Sequence, residues 1–242
     1  MRVMTLNVAH GAKKPVPPRL LGPERVGKNL DAITSALLDA RPDVVALQEI
    51  DRASPYTSGL DHFARLWRGS ELQHAAHAAH GHSVRLGMRH GHALLSRAAL
   101  TEVEDRRFSR LFCHDKGWIV GAVAALGVTI DVANVHLEPF HAPVRRAQIE
   151  ELASGLAERR VRTRRPLVVM GDMNTGRRGV ARLMRALDLR ADPERRPTFP
   201  AGLPVVRLDW ILVSRELAIR SERTLPDVVS DHAGVVAELV LS

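Results

Sequence analysis

Apolar positions along this chain fall into two kinds of run. Val26, Leu30, Ile33 and Leu37 recur at helical spacing, so residues 24–39 are predicted as an amphipathic helix. Arg41-Pro42-Asp43 ends it, because the residue before a proline is biased away from the helical region. Short apolar stretches read as buried strands: residues 2–8, Val44 to Gln48, Leu167 to Met170, Leu208 to Val213 and Gly234 to Leu241. More short strands are expected between residues 83 and 137, with turn signals at Gly87, Gly91, Gly117 and Gly127. Helix is also predicted over residues 62–79, 143–160 and 179–188, and loop over residues 9–23 and 51–61. Two long helices and many strands, without strict alternation, predict an α+β layered fold in which helices cover two packed sheets. No internal repeat or linker is visible, so residues 1–242 are taken as one domain.

Composition narrows the class. Apolar residues make up 45% of the chain and charged residues 26%, the profile of a soluble globular protein. No apolar run approaches the roughly 18 residues of a membrane span. The N-terminus shows no charged-then-apolar leader, so a cytoplasmic location is expected, and a monomer. Cys113 is the only cysteine, which excludes an internal disulfide and a cysteine-based zinc site. The net charge of +8 favours polyanionic partners. That signal is discounted, since only Lys13, Lys14, Lys28 and Lys116 of the 35 basic residues are lysines, and genome composition alone can produce such arginine richness. The 4% aromatic content argues against a protein that stacks single-stranded bases.

The predicted strands end in groups that bind metals or move protons. Asn7 follows Val3 and Thr5 at period two, Glu49 follows Val45 and Leu47, His136 follows Ile130 and Val132, and Asp172 and Asn174 follow Val168 and Met170. On that spacing each shares the face of the residues before it. Asp209 sits inside the apolar run Leu208-Asp209-Trp210-Ile211-Leu212-Val213, where a buried carboxylate costs several kcal/mol, roughly, without a partner. Taken singly, most have plain readings: Asn7 as a cap, Glu49 as a solvated strand end, Asp172-Met173-Asn174 as a turn, His136 as a core histidine, Ser230-Asp231-His232 as a capping turn. Five strands ending this way together make those readings less credible.

Seven segments carry a resemblance. Thr5-Leu6-Asn7, Leu47-Gln48-Glu49, Gly91-His92-Ala93-Leu94-Leu95-Ser96-Arg97, Asn134-Val135-His136-Leu137, Gly171-Asp172-Met173-Asn174, Leu208-Asp209-Trp210 with Ser214, and Ser230-Asp231-His232 run in order from residue 5 to residue 232. In these the chain resembles the endonuclease/exonuclease/phosphatase superfamily. The resemblance implies a four-layer α/β/β/α sandwich, two mixed sheets packed face to face and flanked by helices. It also implies divalent-metal-dependent hydrolysis of a phosphate ester. Glu49 and Asn7 would hold the metal, with Asp231 near it or at a second position; hard oxygen donors suit Mg²⁺, with Mn²⁺ tolerated. Asp172 would orient or deprotonate the attacking water, Asn174 would donate to a phosphoryl oxygen, and His136 would contact the phosphate. His232 would act as general base or acid, oriented by Asp209. Asp172 and His232 compete for the part of base.

Asn134-Val135-His136-Leu137-Glu138-Pro139 is similar to the pancreatic-deoxyribonuclease, sphingomyelinase and inositol-phosphatase branches and unlike abasic-site endonucleases. His92 departs from an asparagine common in the family, and either replaces an amide contact near the phosphate or only packs. Lys116 is a candidate phosphate contact, though a solvated turn lysine is the favoured reading. Thr198-Phe199-Pro200-Ala201 lines the substrate entrance or is simply a loop anchored by Phe199. His74, His77, His80, His82, His90 and His92 cluster, with His74 and His77 at zinc-compatible helical spacing; a solvated histidine-rich helix and turn is favoured. The leading expectation is a phosphodiesterase for a small or lipid-linked ester, with peripheral lipid contact allowed. A DNA or RNA nuclease is the rival, and a catalytically silent binding module is the reading from another class.

Overall fold

A computed structural model describes the chain except residues 14–19, 58, 84–87, 110–115, 195 and 227, and except the side chains of residues 56, 81–83 and 88. Lys14, Gly87, Cys113 and the side chain of His82 therefore lie outside the described residues.

The elements run β1 (Arg2–Asn7), α1 (Pro23–Ala40), β2 (Val44–Asp51), α2 (His62–Gly69), β3 (His74–Ser83), β4 (Met88–Ser96), β5 (Leu100–Arg107), β6 (Gly117–Ala125), β7 (Val128–His136), α3 (Ala142–Thr163), β8 (Leu167–Asp172), α4 (Arg177–Leu187), β9 (Leu189–Ala191), β10 (Asp209–Ser214), β11 (Leu217–Thr224) and β12 (Val235–Leu241). They form two six-stranded sheets, ordered β11-β12-β1-β2-β4-β3 and β5-β6-β7-β8-β10-β9. Three apolar layers hold them together. Val3, Val44, Ala46, Ile130, Val132, Val168, Met170 and Ile211 pack between the sheets. Leu30, Ile33, Leu66, Val45 and Leu47 join α1 and α2 to the first sheet, and Leu152, Leu156, Leu183, Val169 and Leu212 join α3 and α4 to the second. The α/β/β/α sandwich results, because a sheet buried on both faces needs a helix layer outside and a partner sheet inside.

Both sheets share one plan. Each has a central parallel pair, β1 with β2 and β7 with β8, joined through α1 and α3 respectively. Each pair is then extended by antiparallel strands in the same order, β2-β4-β3 and β8-β10-β9. No repeat shows in the sequence, yet the topology is duplicated. The strand ends that carry Asn7 and His136, and Glu49 and Asp172, are topological counterparts.

Several expectations change. The helix predicted over residues 62–79 ends at Gly69, and His74–Ser83 is strand β3, paired with β4. Alanines and histidines at spacing three read as helix, but the left-handed Glu71 (φ 60°) breaks the run and β4 captures the segment beyond it. Gly127 does turn, at φ 77°, whereas Gly91 lies within β4 and Gly117 begins β6. A Cβ on Gly91 would stand 1.8 Å from the Ala78 carbonyl oxygen, so glycine there answers a close backbone approach. The strands β9 and β11 had no visible signal. Among the described residues no helix is long and apolar enough to cross a membrane.

Candidate active site

Strand alternation delivers four polar side chains to one crevice. Asn7, His136, Asp172 and Asp209 occupy the faces that Val3, Val132, Met170 and Ile211 present between the sheets. The register sets Asp172 opposite both His136 and Asp209. Asn7 Nδ2 donates to Asp172 Oδ2 at 3.0 Å, joining the two sheets. Deeper in, Gln48 Nε2 donates to Asn134 Oδ1 (2.7 Å) and Thr5 Oγ1 (3.1 Å), and Asn134 Nδ2 donates to the carbonyls of Leu47 and Ala93. This buried amide bridge fixes one sheet against the other beneath the site.

Glu49 arrives by another route. The predicted period would place it with Val45 and Leu47 on the helix side. A bulge between Gln48 and Ile50 gives that place to Ile50, and Glu49 takes a left-handed φ of 53°. Its carboxylate turns into the crevice, with Oε1 3.7 Å from His136 Nε2 and Oε2 3.4 Å from His10 Nε2.

The segment before β12 closes the site. Ser230 Oγ donates to the Asn7 carbonyl at 2.7 Å, which brings Asp231 and His232 over the strand ends. His232 Nδ1 lies 2.8 Å from Asp209 Oδ2 and its Nε2 lies 3.8 Å from Asp172 Oδ2. Phe199 packs on the His232 ring at 4.8 Å, so that loop lines the site. Asn174 donates its backbone N–H to Asp172 Oδ1 and its amide to the Leu137 carbonyl. Lys116 is buried rather than a solvated turn lysine, with Nζ 3.0 and 3.1 Å from the His136 ring nitrogens.

The histidine cluster is likewise not helical, and of its described side chains His80, His90 and His92 are buried while His74 and His77 are half-buried. His80 and His92 are buried with ring centroids 4.8 Å apart, and His92 stands 5.9 Å from His136. Burial holds His80 near about 4 and His92 well below the ordinary imidazole range, so both are neutral.

Charge in the crevice is out of balance. Burial, reinforced by Asp209, pushes the Asp172 carboxyl up to about 7. Burial also lifts Asp231 to about 6. Burial would lower His232, but Asp209 and Asp172 outweigh it and push the imidazole up to about 10. His136 is held well below its usual value by burial and by Lys116. Asp172, Asp209 and His232 place ligand atoms within 4.8 Å of one another and can hold a metal ion. Glu49, Asn7 and Asp231 carry oxygen donors that could serve an ion outside that group; the Glu49 side chain keeps 23% of its surface open, whereas Asp209 is fully buried behind His232. Donors of this kind fit a hard dication.

Two neighbours of Glu49 are not among the residues predicted above. His10 and Asp51 stand behind Glu49, with His10 Nδ1 2.7 Å from Asp51 Oδ2. The available signal was local: His10 follows Asn7 by three residues, and Asp51 follows Glu49 by two.

A family model described as the endonuclease/exonuclease/phosphatase family matches residues 4–232. No curated protein matches the chain. Among solved structures, the human Nocturnin catalytic domain with bound sulfate is 20% identical, covering 100% of this chain and 94% of that one, with a TM-score of 0.77. A mannosyl-6-phosphatase of Bacteroides thetaiotaomicron is 16% identical over 100% of both chains, with a TM-score of 0.76. An endonuclease/exonuclease/phosphatase of Beutenbergia cavernae is 19% identical, covering 100% of this chain and 72% of that one, also at 0.76. At these identities the likeness is one of fold.

Proposed function

The chain belongs to the endonuclease/exonuclease/phosphatase family, and from that premise we propose that it is a divalent-metal-dependent phosphodiesterase for a small or lipid-linked ester, formed as one catalytic unit over residues 1–242. The observation that carries this reading is the Asp209–His232–Asp172 array facing Glu49 and His136 across the crevice.

Each side chain has work that its surroundings suit. Glu49 and Asn7, with Asp231 beside them, would hold a dication, which would supply charge compensation for the phosphoryl oxygens. Asp172, half-ionised near neutrality, takes the proton of the attacking water. His232 is protonated at that pH and donates toward the leaving-group oxygen, with Asp209 fixing its tautomer. That division gives the part of base to Asp172. Lys116, neutral His136 and the remaining N–H of the Asn174 amide would hydrogen-bond the phosphoryl oxygens.

The nuclease reading keeps one observation in its favour, the net charge of +8. Few aromatic side chains weigh against it. Purified protein with Mg²⁺ or Mn²⁺ should cleave a bis-nitrophenyl phosphodiester or lipid diesters and lose that activity in EDTA. Robust plasmid or RNA cleavage, with little turnover of small and lipid diesters, would overturn the substrate assignment.

A further inference from the structure

The geometry points to a nitrogen ligand at the metal centre: His10, oriented by Asp51, coordinates the ion that Glu49 holds, so the site selects Mn²⁺, Co²⁺ or Zn²⁺ over Mg²⁺. The inference rests on the proposed function, in which Glu49 is a metal ligand.

His10 is held from both sides. Its Nδ1 lies 2.7 Å from Asp51 Oδ2 and its Nε2 faces Glu49 Oε2 at 3.4 Å. Asp51 is fully buried, and a buried carboxylate demands a polar or cationic partner. Its neighbours are His10 and, 3.6 Å away, the fully buried His62. Metal-ligating histidines characteristically donate their second ring N–H to such a carboxylate, which fixes the tautomer and raises ligand basicity. With Nδ1–H given to Asp51, the Nε2 lone pair points at the Glu49 carboxylate. Two electron-rich atoms at that distance repel unless a proton or a metal ion stands between them, and a metal ion that binds there takes the proton's place.

The spacing suits an ion. Two donors each about 2.1 Å from one metal, at roughly 90–110° to each other, stand roughly 3.0–3.4 Å apart. The observed 3.4 Å falls at the upper end. The backbone is also committed to this placement. Ala9, His10 and Gly11 all carry left-handed φ values, of 46°, 52° and 76°. Non-glycine residues hold such conformations only where their surroundings impose them. The ring is further fixed edge-on against His90, with centroids 4.9 Å apart. Glu49 is itself left-handed at the bulge, so two strained turns bring the two donors together. An imidazole in the donor set moves preference along the transition series and away from Mg²⁺.

Mn²⁺ binding to the full chain tests this by a readout independent of turnover. Wild type is titrated with MnCl₂ by electron paramagnetic resonance, and the bound ion is examined for ¹⁴N modulation from a coordinated imidazole. Wild type should show the modulation. His10→Gln should remove it and weaken Mn²⁺ at least about tenfold while changing Mg²⁺ affinity less, and Asp51→Asn should weaken Mn²⁺ about 10–100-fold. His136→Gln and His232→Gln should leave the modulation in place. Mn²⁺ bound without ¹⁴N modulation in wild type overturns the proposal with no variant needed, as does modulation that survives in His10→Gln. If Glu49→Gln abolishes binding in either case, the metal site stands and only the histidine ligand fails. If Glu49→Gln leaves Mn²⁺ binding unchanged, the underlying metal assignment fails and this proposal with it.

Discussion

Asn7 and Asp172 meet across the interface of the two sheets, amide nitrogen to carboxylate oxygen, at 3.0 Å. The contact favours the ionised carboxylate, against a burial that favours the protonated form. Asn7→Ala removes that support, so Asp172 should titrate higher. If Asp172 is the base, activity requires it ionised, and the acidic limb of log kcat/KM against pH should move from about 7 to higher pH. An unmoved limb would dissociate Asp172 from the profile.

The alkaline limb belongs to the other end of the array. His232 is pushed up to about 10, with Asp209 the foremost of the carboxylates that raise it. A proton donor is active while protonated, so rate should fall as pH passes that value. Asp209→Asn should bring the fall to lower pH and reduce kcat by about 10²–10⁴-fold through loss of tautomer control. A pH–rate profile of the variant checks both.

Gly171 precedes Asp172 with φ 141°, and a Cβ there would stand 1.9 Å from the Val135 carbonyl oxygen. Gly171→Ala should destabilise the fold by at least about 1 kcal/mol and lower activity beyond any loss of folded protein. Urea unfolding, with assays normalised to the folded fraction, separates the two effects.

Far from the crevice, Arg159 is buried and donates to Asp131 (2.9 Å) and Glu104 (2.7 Å). Arg159→Ala leaves Asp131 buried with its principal cation gone, and should cost about 3–5 kcal/mol. Thermal unfolding should show the loss, while kcat of the folded fraction stays near wild type.

Strand periodicity alone was enough to place part of the crevice. Asn7, His136, Asp172 and Asp209 lie on strands whose apolar residues alternate, and the sheets carry them to the shared face as that spacing predicts. Helix α1 was equally legible from its apolar stripe and proline stop, and helix α3 was predicted to within a few residues of its ends. The remaining features have causes that lie far along the chain. Glu49 reaches the crevice through a bulge against β4 that no local period encodes. His74–Ser83 has a helical pattern and becomes strand because β4 pairs with it. Lys116 is buried because His136, twenty residues on, accepts its charge-bearing end. His10 and Asp51 are forty-one residues apart, and only the parallel pairing of β1 with β2 sets one behind the other at Glu49. Periodicity assigns a side chain to a face; only the pairing of distant segments decides what that face meets.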